Sequence, residues 1–244
     1  MPALVTVVVP SYNQAKFLEK ALTSIFQQTV PIEVFVMDGG STDTSVSVIK
    51  KFEKNISSWR SYPDNGQAAA INEGVKLGKA PFIYWLNSDD WLLPDGLGKL
   101  LQILQNNPAL PAAYGNVWNF LQTSNKKKPV HVEKFSKRRL AIRCIISQPG
   151  VLIRRSAWES VGGLDESMTM AFDYDLWWKL YNSFGVLKHV DEFVAVNRDH
   201  PNTKTNRYKK LHYKEAIGTV KKNFGAIHFK WRIVFILRTI FGKS

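Results

Sequence analysis

Short runs with the composition of β-strands alternate with segments of helical periodicity through the first hundred residues, and this alternation constrains the fold more than any other feature. These runs predict strands at residues 4–9, 32–37, 58–62 and 81–86. The segments between them predict helices, of which the alanine-rich one at residues 68–77 ends at Gly78. Strands and helices in alternation predict an α/β fold with a mostly parallel sheet, right-handed crossovers and helices on both faces.

After Tyr114 the pattern changes, and strands are mixed with short helices. The sequence predicts a lysine-rich turn at residues 126–128, a strand near residues 150–153 and a helix at about residues 173–181. The chain has 244 residues, of which 45% are hydrophobic, so it can bury a sizeable core. Disorder of the whole chain is therefore excluded.

The domain organisation follows from the absence of any internal repeat or low-complexity linker in the sequence. We expect one α/β domain at residues 1–205, with a Rossmann-like parallel half at 1–115 and a mixed half at 116–205. The basic segment at residues 206–244 is expected to form a helical C-terminal extension.

The net charge of +13 is distributed unevenly. Residues 126–143 carry +7 and residues 198–244 carry +10, whereas the rest of the chain is slightly acidic. A nearly neutral body with two basic segments indicates a globular catalytic unit that touches an anionic surface, rather than a protein that coats nucleic acid. The single cysteine, Cys144, cannot form an internal disulfide and favours a reducing compartment, so we expect a cytoplasmic protein.

The sequence predicts no segment that crosses a membrane. Residues 4–9 have no basic leader and run directly into Pro10, so they are expected to be a strand and not a signal peptide. The best candidate for a membrane span, residues 231–241, is interrupted by Arg232 and Arg238.

Polar residues follow each of the four predicted strands. These loops lie at residues 10–14, 38–43, 63–67 and 87–90. Ligands in open α/β sheets bind outside the carboxyl ends of the strands. The sequence therefore places the candidate site at this edge of the sheet.

Carboxylates stand at the ends of two of these strands. Asp89 and Asp90 are adjacent and repel each other unless a cation or a donor is present; Mg²⁺ or Mn²⁺ shared with substrate phosphates fits this position. The alternative is that they cap the helix that starts near Pro94.

Asp38 ends a buried strand, where a charge needs partners. It could accept the imide N–H of uracil, or it could serve only in local capping with residues 41–43.

Asp173 and Asp175 stand at the start of a predicted helix, among apolar and aromatic neighbours. Burial raises the pKa of a carboxyl group, so one of them could act as a general base. The alternative is the ordinary preference of helix N-termini for acidic residues. Trp177 and Trp178 are expected to lie in the core rather than to stack on a sugar.

His200 lies in a polar loop beyond the last strand and could bind a metal or a phosphate.

Taken together and in this order, five segments closely resemble the signatures of the family-2 inverting glycosyltransferases of the GT-A fold. The segments are residues 7–13, 38–43, 64–74, 86–91 and 173–177, and the resemblance extends over roughly residues 4–205. The combination is far more specific than any single segment. It implies a nucleotide-sugar-binding half followed by an acceptor-side half.

The resemblance also implies roles for individual residues. Those matching positions that contact the nucleotide-sugar are Pro10, Tyr12, Asn13, Asp38, Asp64, Gly66, Gln67, Asn72, Asn87, Ser88 and Asp90. Asp89 and His200 would hold Mn²⁺ or Mg²⁺, which offsets charge on the departing diphosphate. Asp173 would deprotonate the acceptor hydroxyl as general base.

The reaction implied by the resemblance is sugar transfer from a nucleotide-diphospho-sugar, with UDP preferred, to an acceptor hydroxyl with inversion. A saccharide or a lipid-linked saccharide would be the acceptor, in bacterial polysaccharide or glycolipid synthesis. A sugar nucleotidyltransferase needs a glycine-rich loop after the first strand and a dehydrogenase needs G-x-G-x-x-G there; residues 10–14 supply neither. An inactive protein or a basic nucleic-acid binder on the same fold is the alternative, although we expect no nucleic-acid partner.

The C-terminal residues 227–241 have the pattern of an amphipathic helix. Most of their apolar residues share one arc of a helical wheel, with Arg232 and Arg238 opposite. Such a helix suits the interface of an anionic membrane, with Trp231 at headgroup depth, and would place the protein peripherally at the inner face of the cell membrane. The alternative is that the arc packs on the catalytic domain or on a second subunit.

Overall fold

The computed structural model describes residues 1–231 and 233. The strands are β1 Val5–Ser11, β2 Ile32–Asp38, β3 Ser58–Ser61, β4 Phe82–Trp85, β5 Trp91–Leu92, β6 Ala112–Leu121, β7 Lys126–Pro129, β8 Val151–Arg154 and β9 Lys188–Asp199. The helices are α1 Ala15–Phe26, α2 Ser45–Lys51, α3 Gln67–Leu77, α4 Gly96–Asn106, α5 Lys137–Ile142, α6 Arg155–Ser160, α7 Phe172–Phe184, α8 Lys204–Arg207 and α9 Lys209–Phe224. The four strands predicted in the first half are present within two residues of the expected ends.

All strands belong to one sheet with the order β3-β2-β1-β4-β8-β6-β9-β5, and β7 pairs with β6. The first four strands of that order are parallel to one another. In the second half β8 runs antiparallel to both β4 and β6, whereas β6 and β9 are parallel. The predicted parallel front half and mixed second half are therefore confirmed.

Successive side chains of β1 enter different cores, because side chains alternate between the faces of a strand. Val7 and Val9 pack with apolar residues of α1, α2 and α4 on one face. Val8 packs with residues of α3, α6, α7 and α9 on the other face. Helices cover both faces, so the hydrophobic runs of β1 and β4 are buried on two sides, and each fully buried Val contributes about 1.5 to 3 kcal/mol.

Gly74 determines how closely α3 approaches the sheet. A Cβ atom at this position would lie 2.5 Å from Cγ1 of Val8, so only glycine allows the observed contact between helix and strand. This close packing fixes the start of α3, where Gly66 and Gln67 stand at the carboxyl edge of the sheet.

The predicted lysine-rich turn is wrong in detail. Lys126, Lys127 and Lys128 form strand β7, paired antiparallel with β6, and the turn occupies residues 122–125. Exposed charged residues are tolerated in such a strand, because a peripheral strand with lysine side chains resists pairing with other chains. Asn125, with a φ of 55°, completes the turn in the left-handed conformation that asparagine tolerates.

The C-terminal extension packs into the same core as the rest of the chain. Ala216 and Val220 of α9 are buried, and Trp231 donates its indole N–H to the Ala141 carbonyl over 2.8 Å. The prediction that Trp231 lies at headgroup depth is therefore wrong, and packing on the domain describes residues 209–231 better. Residues 232 and 234–241 of the predicted amphipathic helix lie outside the described residues. Among the residues that are described, no helix has the length and hydropathy needed to span a bilayer.

Candidate active site

The loops that follow β1 and β2 are joined by one asparagine. Asn13 donates its backbone N–H to Ser41 Oγ over 2.7 Å, and its side-chain oxygen accepts the N–H of Thr42 over 2.8 Å. Its φ of 52° turns the chain so that both bonds form at once. Asn13, predicted to contact the nucleotide-sugar, therefore also fixes the shape of the loops around it.

Asp38, at the end of β2, is fully buried. Its carboxylate accepts the Ser41 N–H at 2.8 Å, the Ser41 hydroxyl at 2.6 Å and the Ser61 hydroxyl at 2.7 Å. These bonds satisfy the buried charge and reproduce the capping alternative given by the sequence. A direct bond from Asp38 to a uracil imide would require one of these serines to move.

Gly39, next to Asp38, lies between two side chains, and we call this place the slot at Gly39. A Cβ at Gly39 would lie 3.4 Å from the Tyr12 ring and 3.4 Å from an Asp64 carboxylate oxygen, so these two side chains face each other across the glycine. Tyr12 is 61% exposed, whereas Pro10 below it is buried. An exposed aromatic ring beside a carboxylate and a bare glycine suits a planar base.

Arg60, which the sequence reasoning missed, organises the wall of this slot. Its guanidinium donates to the Asp38 carbonyl at 2.6 Å and forms ion pairs with Asp64 at 3.0 Å and Glu73 at 2.7 Å. Asp64 also accepts the Gly66 N–H at 2.9 Å. The only signal in the sequence was a charged residue inside a predicted strand, and it did not indicate which loops the side chain would join.

Asp89 and His200 are brought together, as predicted for two ligands of one metal ion. His200 Nε2 lies 3.2 Å from Asp89 Oδ2, and the side chains are 6% and 19% exposed, respectively. Within residues 1–231 and 233 no third His, Cys, Asp or Glu joins them to form a three-ligand cluster. An incomplete set of one carboxylate and one imidazole fits Mn²⁺ or Mg²⁺ that takes further oxygen ligands from a diphosphate.

Asp90 faces the interior, unlike Asp89. It accepts the Arg198 backbone N–H at 2.8 Å, and burial, followed by the charge of Asp89, raises the pKa of Asp90 well above its usual range. The Arg198 guanidinium donates to the Asp89 carbonyl at 2.8 Å and lies 4.7 Å from the ring centres of Phe17 and Trp91. Asp90 thus ties the loop after β4 to β9, a use that differs from the predicted donor contact, and Arg198 was not predicted at all.

Amide side chains connect the start of α3 to the loop after β4. Gln67 donates to the Asn87 amide oxygen at 2.8 Å, and Asn87 donates to Gln148 at 3.1 Å. Ser88 beside them is buried. This chain of amides engages the side-chain oxygen of Asn87 and fixes the orientation of its amide.

Asn72 has a different environment from the one predicted. Its amide donates to the Leu164 carbonyl at 3.0 Å and to Glu166 at 2.8 Å, and its oxygen accepts the Leu164 N–H at 3.1 Å. Both amide hydrogens are therefore used to hold the loop at residues 164–166. The predicted donor contact has no free hydrogen on Asn72 to use.

The structure separates the two candidate bases. Asp173, at the start of α7, is partly buried, and burial raises the pKa of its carboxyl group to about 6, although a bond from the Tyr174 N–H and the charge of Lys204 lower it. Asp175 is buried and lies 3.0 Å from Lys179 Nζ and 3.7 Å from Lys222 Nζ. Asp175 therefore joins α7 to α9, whereas Asp173 has the environment of a general base.

The aromatic residues that follow Asp173 belong to the core. Trp177 and Trp178 are fully buried, and the Trp177 ring stacks on Trp85 with centroids 6.0 Å apart. The expectation that they are not sugar platforms is confirmed.

The fold and this site define the class of the protein: a GT-A glycosyltransferase fold, with loop carboxylates and a histidine at the carboxyl edge of its parallel strands. The chain matches the model of glycosyl transferase family 2 over residues 6–161, and it belongs to that family. The resemblance seen in the sequence is thereby confirmed.

One sequence relative and two solved structures are similar to this chain. The chain is 31% identical over 199 residues to a chondroitin synthase of Pasteurella multocida, an alignment that covers 80% of this chain but 20% of that protein. It thus spans about a fifth of that relative. TarS of S. aureus, crystallised with UDP-GlcNAc, has a TM-score of 0.72 at 15% identity over 97% of this chain and 73% of its own. A Pyrobaculum calidifontis mannosyltransferase in complex with GDP-Man and Mn²⁺ has a TM-score of 0.71 at 17% identity, over 98% of this chain and 71% of its own. Both likenesses show the fold.

Proposed function

We propose that this protein transfers a sugar from a nucleotide-diphospho-sugar, preferably a UDP-sugar, to an acceptor hydroxyl with inversion. The observation that carries the proposal is the contact between Asp89 and His200, which lie 111 residues apart in sequence and meet at the carboxyl edge of the sheet. A carboxylate and an imidazole in contact at this edge suit a donor whose diphosphate carries a divalent cation.

The nucleotide occupies the slot at Gly39 in this proposal. Tyr12 stacks on the base, Asp64 and Arg60 form the wall, and Asn13 keeps the two loops together. Asp38 supports the slot through Ser41, and direct contact of its carboxylate with a uracil imide would follow a shift of that serine. The UDP-GlcNAc complex of TarS, a protein of the same fold, supports the choice of uridine.

Asp89 and His200 would hold Mn²⁺ or Mg²⁺, and the Mn²⁺ complex of the archaeal mannosyltransferase supports a divalent cation. When bound, the ion supplies positive charge next to the diphosphate that leaves with the nucleotide. Asn87 and Gln67 border this position and are available to the ribose or the sugar after their mutual bond opens.

Asp173 acts as the general base. Its carboxylate takes the proton of the acceptor hydroxyl, whose oxygen forms a bond to the anomeric carbon of the donor sugar. The bond between that carbon and the diphosphate oxygen breaks, and the nucleoside diphosphate leaves with the electron pair. A pKa of about 6 leaves most Asp173 carboxyl groups ionised at neutral pH while making them stronger bases than an ordinary aspartate.

The acceptor is a saccharide or a lipid-linked saccharide in this proposal, and the pathway is polysaccharide or glycolipid synthesis. The chondroitin synthase relative supports a saccharide acceptor, although the match covers 20% of its length. Cytoplasmic location with peripheral attachment to the inner membrane face is part of the same proposal. Exposed Phe229 and Ile233 next to basic α9 support attachment, because apolar and cationic side chains together favour anionic membranes.

A panel of nucleotide-sugars with Mn²⁺ tests the function. We expect one UDP-sugar to raise the melting temperature and to be hydrolysed slowly in the absence of acceptor. Addition of saccharide acceptors should then speed release of UDP. If no nucleotide-sugar stabilises the protein while RNA or DNA binds in a salt-sensitive manner, the nucleic-acid alternative replaces this proposal.

A liposome experiment tests attachment. Vesicles with and without anionic lipid are sedimented with the full chain and with a Phe229→Ser/Ile233→Ser variant, which leaves the buried Trp231 intact. We expect the full chain to sediment with anionic vesicles and the variant to do so several-fold less. Equal recovery of the full chain in the supernatant with both lipids would refute attachment.

A further inference from the structure

Lys204, the first residue of α8, lies between the predicted donor site and the predicted base. Its ammonium donates to the Gln67 amide oxygen over 3.2 Å, and Gln67 in turn donates to Asn87. It also lies 5.7 Å from the ring centre of Phe172, the residue before Asp173. Neither composition nor motif singled out this lysine among the many cations of the C-terminal segment.

The Lys204 ammonium has too few partners for its burial. Burial lowers the pKa of Lys204, while the charges of Glu215 and Asp173 raise it. In the part of the chain that the structure describes, no carboxylate oxygen lies within 4.0 Å of its nitrogen, and the neutral Gln67 oxygen accepts one of three hydrogens. A partly buried ammonium in such surroundings gains strongly from an anionic ligand, because charge-assisted bonds exceed neutral ones.

The position of α8 identifies the anion. The loop before α8 contains His200, whose carbonyl accepts the Thr203 N–H at 3.0 Å and whose ring meets Asp89. Lys204 begins the helix after this loop, and Gln67, which accepts a hydrogen bond from its ammonium, donates to Asn87 on the loop that carries Asp89. The ammonium and the Asp89–His200 pair therefore border one space. In the proposed reaction that space holds the diphosphate of the donor.

We propose that Lys204 binds an anionic oxygen of the donor diphosphate and so serves as a second positive charge for the leaving group. The inference rests on the proposed function, because it assigns one more residue to the same site. When the diphosphate takes the ammonium, Gln67 is released from it and becomes available to the sugar. Lys204 is then shared between the donor and Asp173, whose pKa its charge lowers.

A second effect distinguishes this role from a structural one. The Lys204 ammonium and the Cys144 thiol lie near Asp173: burial, followed by the charge of Asp173, raises the pKa of Cys144, and the charge of Lys204 lowers the pKa of Asp173. Glu215 on α9 faces Lys204. Since Lys204 lowers the pKa of Asp173, its removal raises that pKa. The acid limb of kcat/KM, which reports the free enzyme, then moves to higher pH.

Calorimetry with uridine, UMP and UDP in the presence of Mn²⁺ tests the proposal on the full chain. The variants are Lys204→Met, Lys204→Arg and, as a matched control, Lys214→Met, which removes the same charge from an exposed position of α9. We expect Lys204→Met to weaken UDP about tenfold or more, the usual effect of a lost charge-assisted bond, with uridine unchanged. Lys204→Arg should restore most of the affinity, and Lys214→Met should match wild type.

Several results would overturn the proposal. Wild-type affinity of Lys204→Met for UDP, or equal weakening of UDP and uridine, would leave Lys204 as a structural residue only. An acid limb of kcat/KM that does not move in Lys204→Met would contradict its electrostatic link to Asp173. If wild type binds none of the three nucleotides, the proposed function fails and this inference fails with it. If wild type binds UDP and Lys204→Met binds it equally well, only the role of Lys204 is refuted and the proposed function stands.

Discussion

Replacing Asp173 with asparagine removes the proposed base while keeping the size of the side chain. The amide oxygen of the new side chain can still accept the Tyr174 N–H that Asp173 accepts at 2.7 Å, so α7 should begin at the same residue. We expect turnover to fall by about 10² to 10⁴, the usual range for a lost general base. Affinity for the donor should be nearly unchanged, because the proposed base acts on the acceptor hydroxyl and not on the donor.

The same substitution should make the protein more stable at neutral pH. Burial raises the pKa of Asp173 from 3.8 to about 6, so the native state holds this proton at pH values where the unfolded state has released it. Stability from this group is complete below pH 3.8 and is lost as pH rises to about 6. A shift of roughly 2 units corresponds to about 3 kcal/mol at most, since Asp173 is only partly buried. An asparagine side chain carries no such penalty, so Asp173→Asn should unfold at higher denaturant concentration at pH 7 and not at pH 4.

Turnover, donor affinity and urea unfolding at both pH values would be measured for wild type, Asp173→Asn and Asp175→Asn. Asp175→Asn is the matched control, because it breaks the ion pairs to Lys179 and Lys222 and should lower stability by about 1 to 3 kcal/mol while the folded enzyme stays active. The base assignment is refuted if Asp175→Asn is inactive while Asp173→Asn is not. Destabilisation of Asp173→Asn at pH 7 would refute the electrostatic argument.

Three further substitutions test other parts of the site. Asp89→Ala should abolish Mn²⁺-dependent donor binding and turnover, because it removes the carboxylate that meets His200; near-wild-type rates at low Mn²⁺ would show that the metal assignment is wrong. Tyr12→Ala should weaken UDP and uridine equally, by about tenfold, since the ring stacks on the base of both in the proposed complex; an effect on UDP alone would place the ring elsewhere. Glu215→Gln should lower unfolding stability by about 1.5 to 3 kcal/mol, because the carboxylate accepts the N–H groups of Thr169, Met170 and Ala171 ahead of α7; an unchanged melting temperature would refute that role.

The front half of the fold was predictable because its signals are local. Strands β1, β2 and β4 are largely apolar runs of β-branched and aromatic residues, and each is followed by polar residues. A parallel strand also brings its carboxyl end to the same edge as its neighbours, so the meeting of the loops after β1, β2 and β4 follows from the pattern. The predicted closeness of Asp89 and His200 depended on family resemblance and not on periodicity.

Residues that act through long-range contacts were not predictable in the same way. Arg60 joins Asp38 to Glu73, and Arg198 passes between Phe17 and Trp91 to reach the Asp89 carbonyl. Each is an ordinary cation in the sequence, and its role depends on which distant loop the fold brings near it. Asn72 illustrates the reverse case, since a residue inside a family motif uses its amide to hold the loop at residues 164–166.

The C-terminal segment, residues 198–244, contacts residues of the candidate site in addition to carrying positive charge. Its net charge of +10 over residues 198–244 indicates an anionic surface as partner, yet Arg198 is buried and Lys204 is half-buried. Lys204 borders the proposed donor site, and Lys222 lies 3.7 Å from buried Asp175 on α7, whose first turn contains the proposed base. Glu215 holds the residues before that same helix in place. Contacts of the extension with an acceptor or a membrane would therefore act on the helix that positions Asp173, because α9 and α7 share one packed interface.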